Sequence, residues 1–89
     1  MAHVLAKLAG ASLEAVSQQL QKDATQHALD GMFLEHLWQN AEEPTEVLFL
    51  FRVNDLNHCR QLTKERHARA RRDNPDIPLP QMTFLEDTL

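Results

Sequence analysis

The sequence predicts an α+β domain: one four-stranded antiparallel sheet with two helices on one face, in the order β-α-β-β-α-β. Three observations carry this expectation. Four stretches alternate with the period of two that belongs to a strand, and two others repeat apolar residues at helical spacing. The stretch "EVLFLFRV", residues 46–53, is apolar on both faces: Val47, Phe49, Phe51 and Val53 on one, Leu48 and Leu50 on the other. The chain has 89 residues, which is the size of one domain, residues 1–89.

The first strand is expected over residues 2–8, where Val4, Ala6 and Leu8 alternate with His3, Leu5 and Lys7. Gly10 and Ala11 turn the chain. Ser12 is a good N-cap, because a short side-chain oxygen can accept from a free N–H of the first helical turn. Leu13, Val16, Leu20, Ala24 and His27 then form one stripe of an amphipathic helix of about four turns. Asp30 and Gly31 end it. Residues 32–40, "MFLEHLWQN", read as a second strand with Met32, Leu34, His36 and Trp38 on one face and Phe33, Glu35, Leu37 and Gln39 on the other. The polar loop "AEEPT" joins it to residues 46–53 as a hairpin. A second helix starts at Asn54 or Asp55, with Leu56, Cys59, Thr63, His67 and Ala70 on one stripe, and stops at Asn74-Pro75. The last strand, "QMTFLED", sets Met82 and Phe84 against Thr83 and Leu85. Pro78 and Pro80 confine its start to a sheet edge, since proline donates no ladder hydrogen bond.

This order is the split β-α-β, or ferredoxin-like, plan. Its two helices cover one face of the sheet and leave the other bare. Either Leu48 and Leu50 or the Val47–Phe51 set must then be covered from outside the chain, and so must one set on residues 32–38. An exposed patch of that width exceeds the roughly 300–600 Å² that a monomer carries. The simplest cover is a second copy, sheet to sheet. On its element order, its length, the two-faced "MFLEHLW" and "EVLFLFRV" and the closing "LPQMTFLE", the chain resembles the dimeric α/β-barrel proteins. These include antibiotic-biosynthesis-type monooxygenases, muconolactone-isomerase-like enzymes and stress-responsive barrel proteins. The resemblance spans nearly the whole chain. It implies a homodimer, a small-molecule cavity between the sheets, and activities that range from cofactor-free oxygenation to none.

Composition narrows the classes of partner. A net charge of −4 argues against nucleic acid or an anionic membrane as the main partner. No apolar run approaches the ~20 residues needed to cross a bilayer. The N-terminal "MAHVLAKLAG" is too short and interrupted for a secretory signal, and the single Cys59 cannot form an internal disulfide, so a cytoplasmic location is expected.

Chemistry rests on a few side chains. His36, on a strand with Leu34 and Trp38, would be a titratable group in an apolar pocket, the setting for acid/base work. The plainer reading is a hydrogen-bonded histidine at a dimer interface. Trp38, Leu34, Phe49 and Phe51 are expected to line the inter-sheet cavity, with His3 at its end or at a frayed strand start. Haem-degrading members of the resembled group carry an asparagine on the first strand, a tryptophan on the third and a histidine on the second helix. Here His58 is present, but the first strand has no asparagine and the third has Phe49 and Phe51 only. No cofactor is expected. His58 and His67, nine residues apart, fall on opposite sides of a helix and cannot share an ion with Cys59, so no metal site is expected either. Residues 60–72 hold six Lys/Arg against one Glu, as a solvated helix face or a phosphate-binding surface. RNA-recognition domains share this element order, but their third strand needs a basic start and glycines, which "EVLFLFRV" lacks. The function expected is binding of a small apolar or aromatic molecule in the inter-sheet cavity, with two alternatives. One is a cofactor-independent monooxygenase or isomerase using His36. The other is a regulatory or protein-interaction domain.

Overall fold

The computed structural model describes residues 2–88. The elements are β1 (Ala2–Ala9), α1 (Leu13–Leu29), β2 (Met32–Gln39), β3 (Glu46–Val53), α2 (Leu56–Asp73) and β4 (Gln81–Glu86). All pairings are antiparallel, and the strands lie in the order β2-β3-β1-β4. β2 and β4 are the edges, as the prolines before β4 require.

Local chemistry fixes the helix ends. Ser12 Oγ accepts from the Ala15 N–H at 3.1 Å. Of the two candidate caps for α2, Asp55 is the one used: its Oδ1 accepts from the His58 N–H at 3.0 Å. Gly31 follows the first helix at φ +77°, a left-handed conformation that costs glycine nothing, and its N–H closes on the Ala28 carbonyl. Asn40 organises the β2–β3 loop by accepting from the Glu42 and Glu43 N–H groups.

β3 settles which face is covered. Val47, Phe49, Phe51 and Val53 are buried beneath the helices, together with Val4 and Ala6 of β1, Met32 of β2, Val16 and Leu20 of α1, and Cys59 of α2. Leu48 and Leu50 therefore lie on the opposite, uncovered face. They share it with their cross-strand neighbours Lys7 and Leu5 of β1, and Trp38 and His36 of β2.

β2 departs from simple alternation. Leu34 pairs with Phe51, but His36 pairs with Leu50, so Glu35 is an extra residue without a partner across the ladder. This β-bulge changes the strand's parity. Met32, Leu34 and Leu37 match helix-side residues of β3, whereas His36 and Trp38 match open-face residues. The expectation that Met32, Leu34, His36 and Trp38 share one face is therefore corrected. The charge on Glu35 gives a reason for the bulge. It faces outward, where its carboxylate meets His3 Nε2 at 2.9 Å and Arg52 Nε at 3.8 Å.

Candidate functional site: a cavity between the helices and the sheet

α1 lies over β2, and α2 approaches β4. The middle of the sheet is left between them. There a partly open cavity of about 410 Å³ lies between the two helices, with Phe49 and Phe51 in its lining. Ligand cavities commonly run from about 300 to 1,000 Å³, so this one suits a small molecule.

The gap follows from the helices' inward stripes. α1 presents Ala15, Val16, Gln19, Leu20, Asp23 and His27 to it; α2 presents Leu62, Thr63, Arg66 and His67. Several of these are small or polar, so the stripes do not meet in an apolar seam. The floor is apolar: Phe49, Phe51, Met32 and Met82. Phe49 and Phe51 meet edge to face, centroids 5.8 Å apart and planes at 86°, and the His27 ring stands on Phe51 at 5.0 Å and 71°.

Two histidines tune the rim. Burial pushes the His27 pKa below its ordinary value; Asp23 and Asp30 oppose this and Arg66 reinforces it. Burial lowers His67 as well, with the Arg71 charge adding to the effect. Both rings are thus biased toward the neutral form, which can accept a proton or a hydrogen bond. Arg66 is committed elsewhere. Its Nη2 lies 2.7 Å from Asp30 Oδ2, an ionic contact that ties α2 to the end of α1, with the oxygen off the N–H direction. Cys59 is a buried free thiol whose pKa burial raises, which suppresses the reactive thiolate.

The six residues expected to line one inter-sheet cavity divide between two faces. Phe49 and Phe51 form the floor of the helix-side cavity, and Leu34 lies on that side beside α1. His36, Trp38 and His3 lie on the open face. Strand alternation separates Phe49 and Phe51 from Leu48 and Leu50, and the bulge separates Leu34 from His36, so the six cannot surround one ligand. His36 is exposed and stacks on Trp38, centroids 4.8 Å apart and planes at 11°. His3 bridges the Glu35 and Asp87 carboxylates at 2.9 and 3.1 Å.

Sequence reasoning gave Asp23, His27, Arg66 and His67 no place in a ligand cavity. The available signal was their position: His27 and His67 both sit on the inward stripe of a helix, and Asp23 lies one turn before His27. Among the described residues no three His, Cys, Asp or Glu side chains form a metal-binding group, and no helix is long and apolar enough to cross a membrane.

No protein-family model matches the chain, and no curated protein is similar to it in sequence. Its fold is similar to that of a crystallised Deinococcus radiodurans protein provisionally assigned as an antibiotic biosynthesis monooxygenase. The TM-score is 0.64 at 14% identity, over 100% of this chain and 94% of that one. At this identity the likeness is one of fold alone, and the resemblance drawn from the sequence holds at that level: the chain has the ferredoxin-like β-α-β-β-α-β fold, which it shares with that protein.

Proposed function

We propose that this protein binds a small apolar or aromatic molecule in the cavity between its helices and its sheet. The observation that carries the reading is the combination of an aromatic floor, Phe49 and Phe51, with a neutral-biased His27 standing on it. The cavity has room for a flat ring against its aromatic floor, and His27 can hydrogen-bond a hydroxyl or carbonyl on its edge. Titrating naphthol into isotope-labelled protein tests this. Amide shifts should concentrate on α1, α2 and the helix-side residues of β3, and Ala15→Trp should weaken them by filling the space. Unchanged spectra at millimolar naphthol would end the proposal.

The open face takes a different role in this reading. Leu48, Leu50, Trp38 and Leu85 give it an apolar surface, and a second copy docked sheet to sheet would cover it and make a homodimer. His36 then belongs to an interface rather than to a catalytic centre. A free buried Cys59 suits a reducing, cytoplasmic setting.

A second reading, a cofactor-independent monooxygenase, draws on the fold shared with the Deinococcus radiodurans protein and on the chemistry of His27. A neutral imidazole beside a bound phenol can take its proton, leaving an electron-rich anion that reduces molecular oxygen and adds to it. The ring hydroperoxide, reprotonated by the imidazolium, loses water to give a quinone, so one oxygen atom stays on the ring and the other leaves as water. Oxygen uptake with a phenolic substrate would reveal it. His27→Phe should then abolish uptake while sparing binding.

A further inference from the structure

The helix-side cavity has a neighbour beyond α2. A second hollow, a groove between α2 and β4, adjoins it and shares the walls Thr63, His67, Pro80 and Met82. The two spaces differ in chemistry. The cavity is largely apolar, and its one carboxylate, Asp23, lies on the α1 wall. The groove is lined by Arg60 and Lys64 with the amides of Asn57 and Gln61, and by no carboxylate. Its cations are also available. Arg66 is spent on Asp30, whereas among the described residues neither Arg60 nor Lys64 is ion-paired with a carboxylate. Arg60 instead lies over the Phe84 ring at 5.3 Å, which orients its guanidinium at the groove wall.

Resting on the proposed ligand cavity, the geometry points to a narrower ligand class: an amphipathic molecule with an aromatic or apolar body and one anionic group, a carboxylate, sulfonate or phosphate. The body lies on Phe49 and Phe51. The anion passes His67 and meets Lys64 and Arg60 in the groove. Asp23 sets the direction, because a negative group turned toward α1 would face a like charge, and turned toward β4 it meets two uncommitted cations. The neutral His67 between them can donate one N–H to the same group. This assigns the basic flank of α2 a role in small-molecule recognition, not in nucleic-acid binding.

The test compares naphthoate with naphthalenemethanol, which share the ring system and differ in charge. Both are titrated into the wild-type chain and into Lys64→Gln and Arg60→Gln, at low and at moderate salt, following amide shifts. Naphthoate should bind about fivefold or more tightly than the alcohol, since charge-assisted hydrogen bonds are the stronger kind even where solvent weakens them. Each substitution should remove a factor of roughly two to five from naphthoate alone, and salt should shrink the difference. Equal affinities for the two probes, or a naphthoate preference that both substitutions leave intact, would overturn the anion subsite and leave the cavity standing. Binding of neither probe would overturn the cavity reading and this inference together.

Discussion

Phe51→Ala is the most informative perturbation of the fold. Phe51 is 2% exposed, on the inner strand β3, with Phe49 and His27 set edge-on to its ring. Truncating a buried phenylalanine costs about 3–5 kcal/mol, from the lost transfer of the ring and the void it leaves. Here one wall of the new void opens into an existing cavity of about 410 Å³. That cavity is partly open, so the new void is not fully enclosed and the loss should fall at the low end, about 3 kcal/mol. An 89-residue domain holds about 4–13 kcal/mol in all, so the variant should fold but with a much lower urea midpoint. Urea unfolding followed by far-ultraviolet circular dichroism measures it. Trp38 fluorescence is a poorer probe, because that ring lies on the open face. Phe33→Ala, at a half-buried site on the open face, serves as control and should cost about 1 kcal/mol. A loss below about 1 kcal/mol for Phe51→Ala, with an unchanged slope, would refute the claim that this ring is the floor of the core.

The cavity histidines make stability fall with acid. Their folded pKa values lie below the ordinary 6.5, so as pH drops through 6.5 the unfolded chain takes up protons first and the fold weakens until the folded values are passed. Thermal unfolding between about pH 7 and pH 5 should show this decline, and His27→Phe with His67→Phe should flatten it; a native state that gains stability over that range contradicts the assignment. Leu50→Asp places a charge in the middle of the open face, and light scattering should find a 10.2 kDa monomer where the parent protein gives twice that mass. A parent that stays monomeric at micromolar concentration removes the homodimer. Cys59 should react with a thiol reagent only as fast as the native state opens, and fast in urea. Rapid modification of the folded protein would mean that α2 does not seal it.

Much of the architecture was legible in local pattern. That β3 is a strand with two apolar faces is readable in "EVLFLFRV", but which face the helices cover is not, because either set of residues would suit a core. Ser12, Asp55, Gly31 and Asn74-Pro75 announce the helix ends by chemistry that acts within one turn. The sidedness of β2 was not legible. "MFLEHLWQ" alternates acceptably in either parity, and the bulge at Glu35 depends on a carboxylate finding Arg52 and His3, which are far away in sequence. The cavity was hidden for a related reason. It is defined by what two helices fail to fill, and each stripe alone gives no measure of the distance to the other. Ala15, Gln19, Asp23, Thr63 and Arg66 on inward positions are the trace it leaves in the sequence.

The bulge in β2 also bears on how this sheet avoids growing. An antiparallel sheet with two free margins invites a neighbour to add a strand, and from there a fibre. Here both margins are spoiled. β2 breaks its ladder geometry at Glu35 and places a charge there, and β4 is six residues long and enters behind Pro78 and Pro80. Sideways propagation is blocked at each margin, while the broad open face keeps its leucines and Trp38. A second copy docked sheet to sheet, as proposed above, would then make a closed pair rather than an endless stack.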